Sequence, residues 1–289
     1  MSSEISQRVD GPGPGQITVQ IAGDVHGPLT VNPATAPTDK GAGDSLRVSV
    51  ESLHGMSHGW FHAFPRAQAA AARPLTERRD LPGTTEAMDQ LLARQLAAGA
   101  YLLTDTSCPA EIMLGLHNSG PVDVAVRDIQ VVDRQRGPII DGVAFWLEAG
   151  AMNPNPITFH LDTAIPVARL VADNGNDPEP YFGRHTLAVL PGGYLAVPLR
   201  FDAATTSHTF NLSVKYRVDG QVHTCTVDNH GTPFRVSPTA GHYCADKRCE
   251  FSLSSRLDQR HDYYTEVYSL VFDDGLAALA ECTSLRLVT

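Results

Sequence analysis

The sequence predicts a mostly β protein, a sandwich or barrel with one helix near its start and a flexible N-terminal tail. Three observations carry that expectation. Many short segments alternate apolar and polar residues at period two, which puts one set of side chains on one face of a sheet. Turn signals separate these segments at intervals of about ten residues, the spacing of an all-β architecture. The 289 residues include 24 Gly and 20 Pro, a balance that favours turns over long helices.

Taken in order, the tail comes first. Residues 1–44 hold seven Gly, five Pro and no aromatic residue, too little apolar surface to offset the entropy of ordering. LRVSVESL at 46–53 then alternates cleanly, with Leu46, Val48 and Val50 on one side. Residues 55–65, with Trp60, Phe61 and Phe64, read as a loop or short strand, and 66–83 as a connection. Thr84 or Thr85 is placed to cap a helix over 86–98. Met88, Leu91, Leu92, Gln95 and Leu96 recur there near helical spacing, and Gly99 is its stop.

Strands follow. Residues 111–116 are apolar after Glu111 and lead into the turn residues 117–121. VDVAVRDIQVVD at 122–133 sets Val122, Val124 and Val126 on one parity and Ile129 and Val131 on the other. That switch predicts a bulge near Arg127-Asp128. Further strands are expected at 143–148, 158–162, 185–190, 194–201, 209–218 and 221–227. Asp219-Gly220 predicts a tight hairpin with positive φ at both positions, and Gly192-Gly193 another turn between strands. FSLSSRL at 251–257 and YYTEVYSLVF at 263–272 are strand candidates, with Asp274-Gly275 as a turn. The expected organisation is a tail at 1–44, a mixed α/β segment at 45–104, a β-sandwich at 105–240 and a β or β/α extension at 241–289.

Charge narrows the function classes. With 22 basic against 32 acidic residues the formal net charge is −10, and no basic run exceeds Arg78-Arg79, which argues against nucleic-acid binding. No apolar run approaches the ~20 residues that span a bilayer, and the first residues lack the basic stretch and apolar core of a secretory signal. A cytoplasmic location is expected, and the five scattered cysteines agree with it.

Candidate chemistry is sparse. His54, His58 and His62 recur every fourth residue and would share a side of a regular element, a pattern able to ligate zinc. Gly55, Gly59 and Pro65 oppose a helix, however, and no carboxylate lies inside the run, so incidental histidines are the preferred reading. His242, Cys244 and Cys249 form a second weak cluster whose spacing is looser than a structural zinc site requires. The Asp173–Asp177 turn lacks the acidic twelfth residue of a calcium loop, Arg184 standing there instead. No nucleophile elbow, cysteine-protease signature or phosphate loop is present. No cofactor is expected.

Two stretches carry a resemblance. LHNSGPVDVAVRDIQVVDRQRGP (116–138) and VKYRVDGQVHTCTVDNHGTPFRV (214–236) resemble a group of uncharacterised actinobacterial proteins. That group has an immunoglobulin-like β-sandwich region closing on an Asp-x-x-Gly turn and Pro-Phe-Arg, here Asp228, Gly231, Pro233, Phe234 and Arg235. The resemblance implies the sandwich and imports no activity. Inside the tail, VQIAGDVHG resembles bacterial amyloid signalling motifs related to the receptor-interacting-protein homotypic interaction motif. Val19, Gln20, Ile21, Gly23, Val25 and Gly27 match, with Ala22 as the departure. Alternating β-branched residues form dry sheet interfaces and Gln stacks into ladders, so 17–31 is a candidate assembly motif; a plain edge strand or linker is the alternative.

The function these readings favour is a non-enzymatic interaction or adaptor module of a bacterial cytoplasmic signalling or defence system, acting on a protein partner or on itself. A metal-dependent or hydrolytic enzyme and a self-assembling structural subunit are the rivals.

Overall fold

The computed structural model describes residues 45–55, 61–69, 72, 81–82, 85–104, 109–146, 157–170, 179–239, 264–273 and 276–281. Its first strands are β1 (Leu46–His54), β2 (His62–Phe64) and β3 (Leu81–Pro82), followed by helix α1 (Thr85–Ala97) and β4 (Tyr101–Thr104). Then come β5 (Ala110–Asn118), β6 (Val124–Gly137), β7 (Val143–Trp146), β8 (Ile157–His160) and β9 (Arg169–Leu170). A one-turn helix α2 (Tyr181–Arg184) precedes β10 (Leu187–Val189), β11 (Tyr194–Asp202), β12 (Ser207–Val218) and β13 (Gln221–Val227). The last described strands are β14 (Phe234–Pro238), β15 (Glu266–Asp273) and β16 (Leu276–Glu281). The protein is mostly β, as expected.

These strands form two sheets. One has the order β1-β5-β11-β8-β9. The other runs β10-β6-β12-β14-β4-β2-β7-β15-β16-β3, with β13 joined to β12 beside that path. Strand alternation explains why they meet. Leu114, Leu116, Val197 and Leu199 of the first sheet share one buried cluster with Val126, Ile129, Leu212 and Val214 of the second. An aromatic file joins the two: Phe159 stacks on Phe201 at 5.1 Å, Phe201 lies 5.0 Å from Phe210, and Phe210 lies 5.8 Å from Phe234.

The local expectations are largely met, each for its physical reason. Helix α1 starts at Thr85, and Gly99 at φ +105° ends it, a backbone angle that Gly adopts at no steric cost. Leu91, Leu92 and Leu96 turn into the core. Asp219 (φ 46°) and Gly220 (φ 76°) make the hairpin turn between β12 and β13. Opposite β12, the register slips between Lys215–Asp128 and Tyr216–Val126, leaving Arg127 as the extra residue of the expected bulge. A second irregularity, not anticipated, places Asp133 at φ 53° in β6.

Strand pairing crosses the boundaries drawn from the sequence. β1 pairs with β5, and β4 is inserted between β14 and β2, so residues on both sides of 104/105 share each sheet. β15 lies parallel to β7, joining residues beyond 241 to the larger sheet. The expected strand at 143–148 is described only to Trp146, and β10 is shorter than the 185–190 expected. Residues 17–31 with the Val19–Gly27 motif, the tail around them and the 251–257 segment lie outside the described residues. Among the described residues no helix is long and apolar enough to cross a membrane.

Candidate functional site

β13 pairs with β12 along seven residues and carries no described strand on its other side. The two-residue turn fixes which of its backbone groups face outward. In such a hairpin the residues flanking the turn, Val218 and Gln221, form a hydrogen-bonded pair, and pair types alternate from there. His223, Cys225 and Val227 therefore bond inward to β12, while the amides and carbonyls of Val222, Thr224 and Thr226 point away from it. Native edges are usually blunted by Pro, Lys or an inward charge. Gln221-Val222-His223-Thr224-Cys225-Thr226-Val227 has none of these. Val222 is 53% exposed, and Thr224 and Thr226 are exposed as well.

A groove of about 410 Å³ lies beside this edge, lined by Arg127, Lys215, Tyr216, Arg217 and Val222. Lys215 and Arg217 are two residues apart on β12 and so face the same way, outward, since Val214 and Tyr216 between and beside them enter the core. The bulge adds Arg127, whose Nη1 donates to Thr186 Oγ1 at 2.9 Å. Asp128, opposite Lys215 in register, accepts instead from Gln130 Nε2 at 2.7 Å. On the core side of the same strands Tyr216 stacks on His223, ring centres 5.4 Å apart. The groove is thus cationic with one apolar wall, in a chain whose net charge is −10.

Two other polar groups are built for different work. Across the smaller sheet His54, Glu111, Arg200, Thr158 and Arg169 are successive register neighbours, one residue from five strands in a single row. The adjacent row is Leu53, Ile112, Leu199, Ile157 and Leu170, so alternation puts the polar row on the face away from the core. Arg200 Nε lies 3.3 Å from Glu111 Oε2, both side chains largely shielded. Two positions further along β8 and β11, on the same face, His160 Nδ1 meets the Asp202 carboxylate at 2.6 and 2.8 Å. That hydrogen bond raises the His160 pKa against an opposing push from burial, and Arg169 presses it back down.

The second group closes one end of the sandwich. Asp162, just past β8, accepts from the Ala204 and Thr205 amides at 2.7 and 2.9 Å, from Thr206 Oγ1 at 3.1 Å and from His208 Nε2 at 2.9 Å. Burial pushes this carboxyl upward, yet the four donors hold it well below the usual carboxylate range. Arg134 and Arg136 of β6 grip the same loop through the carbonyls of residues 161–164. These contacts commit Asp162, Arg134 and Arg136 to holding loops. At the other end Asn118 does the same, its Nδ2 donating to the Val122 and Val189 carbonyls at 2.7 and 2.9 Å.

The sequence-predicted site residues do not converge. His54 ends β1 in the smaller sheet, whereas His62 lies in β2 of the larger one, fully buried and stacked on Phe145 at 4.8 Å. His58, His242, Cys244 and Cys249 lie outside the described residues. Among the described residues no three His, Cys, Asp or Glu side chains gather as a metal group would require. In the turn after β13, Asp228 Oδ1 accepts from the Gly231 amide at 2.7 Å. Sequence reading passed over Arg127, Lys215 and Arg217. The available signal was the Lys-x-Arg alternation at 215–217 beside a predicted bulge. Comparison of the chain with protein-family models, with curated proteins and with solved structures finds no match.

Proposed function

We propose that the chain is a non-enzymatic protein-interaction module of a bacterial cytoplasmic signalling or defence system, built on an immunoglobulin-like sandwich. One observation carries the reading: β13 offers an unblunted strand edge with its outward amides and carbonyls unpaired by any described strand. Such an edge accepts a strand from another chain, main-chain hydrogen bonds giving affinity and flanking side chains giving selectivity. A photo-crosslinking amino acid at Val222 should capture a protein partner in cells. Thr224→Pro should abolish that adduct without lowering the melting temperature, because the Thr224 amide faces outward and its own sheet does not use it. No adduct, or one that survives Thr224→Pro, overturns the reading.

A second mode, homotypic assembly through 17–31, is supported by the alternation of Ile17, Val19 and Ile21 around Gln20. A peptide of residues 15–32 should form β-rich fibrils, and Gln20→Pro should prevent them by fixing φ and removing a donor. A wild-type peptide that stays monomeric at high concentration excludes this mode.

A further inference from the structure

We propose that the strand added to β13 is acidic: an extended segment of a partner protein with Asp or Glu at alternate positions. This identity depends on strand addition at β13, and the arms below separate the two.

Geometry sets the repeat. Lys215 and Arg217 stand two positions apart on β12, about 6.6 Å along the strand, and carboxylates on alternate residues of an added strand recur at the same interval. The added strand would lie two strand spacings from β12, roughly 10 Å away. A Lys or Arg stem reaching outward and a Glu side chain reaching back together span that gap. What lies between does not obstruct it. The β13 residues on this face are Val222, Thr224 and Thr226, small and uncharged, and of these Val222 lines the groove of about 410 Å³ together with the cations.

Charge selects the occupant. Arg127, Lys215 and Arg217 line the groove and no acidic side chain does. The acid nearest by register, Asp128, sits opposite Lys215 and accepts from Gln130 Nε2, one acid against three cations. A chain with net charge −10 repels acidic partners at long range, so the patch confers preference only for a ligand already aligned with this edge. A neutral segment would leave three cations facing one another across the groove without gain. A basic one would add repulsion.

The probe is a fluorescein-labelled peptide alternating Glu and Val, compared with its counterpart carrying Gln for each Glu, titrated with the full chain by fluorescence anisotropy. The Glu peptide should bind at least about tenfold tighter than the Gln peptide at roughly 20 mM salt, with the gap shrinking at roughly 150 mM as screening lengths fall. Lys215→Glu with Arg217→Glu should erase or invert the preference, and Lys215→Gln with Arg217→Gln should erase it. Both pairs sit at exposed positions, and circular dichroism verifies their folding. Thr224→Pro should abolish binding of both peptides. Equal affinity for the two peptides, or a preference that survives charge reversal, overturns the acidic identity while strand addition stands. Binding that persists in Thr224→Pro overturns strand addition and the acidic identity with it.

Discussion

His208 donates its Nε2–H to Asp162 at 2.9 Å although its own side chain is fully shielded from solvent. β12 supplies the histidine and the loop leaving β8 supplies the aspartate, so the pair ties the two sheets together at one end. Burial lowers the His208 pKa despite the carboxylate beside it. On the other side of Leu161, His160 of β8 binds Asp202 of the neighbouring strand β11, a pair within the smaller sheet.

The two histidines make opposite contributions to stability as pH changes. The His160 pKa is raised in the fold, so its contribution is present below the unfolded value of about 6.5 and is lost as pH rises through the folded value. The His208 pKa is lowered, so its contribution is present above about 6.5 and is lost as pH falls. Acidification therefore adds stability through His160 and removes it through His208, whose charged form is penalised by burial. His160→Gln should lose stability relative to wild type between pH 8 and 5.5, by less than about 1 kcal/mol, because His160 is 43% exposed and screened. Urea midpoints for both proteins at the two pH values measure the difference. A gap that does not widen on acidification refutes the assignment.

Asn118 latches the turns at the opposite end. Its Nδ2 bridges the Val122 carbonyl of the β5–β6 turn and the Val189 carbonyl at the end of β10, and its Oδ1 accepts from the Gly120 amide at 2.9 Å. Asn118→Ala leaves those groups without their side-chain partner and should cost about 2–3 kcal/mol. Hydrogen exchange should quicken at Gly120 and Gly192, whose amide donates to the Asn118 carbonyl. Unchanged protection at both would show that the turns hold themselves.

Phe210 sits in the middle of the aromatic file between Phe201 and Phe234 and is fully buried. Phe210→Ala should cost on the order of 3–5 kcal/mol in equilibrium unfolding. A loss below about 1 kcal/mol would place this side chain on the wrong face of β12.

Gly220 offers a cleaner test of backbone strain. A Cβ there would meet nothing within 4 Å, so any penalty comes from φ alone. Gly220→Val should destabilise by roughly 1–2 kcal/mol. Gly220→Asn, which tolerates positive φ, should cost distinctly less. Equal effects would remove the strained turn as the cause, and with it the register that directs the β13 amides outward.

The local rules were legible residue by residue. Period-two alternation marked β1, β6, β12 and β13; the parity change at Arg127-Asp128 marked the bulge; Asp219-Gly220 and Gly99 marked a hairpin and a helix end. Each of these depends on neighbours within a few positions, which the sequence states directly. Alternation says which side chains share a face and is silent about which strand lies alongside. Thus the insertion of β4 between β14 and β2, the separation of His54 from His62 into different sheets and the polar row from His54 to Arg169 were decided by tertiary pairing. The same holds for the meeting of Arg127 with Lys215 and Arg217, nearly ninety residues apart in sequence, and for the open edge beside them. The physical reason is that a strand's partner is chosen by the burial of a whole apolar face against distant segments, and only the folded chain contains that choice.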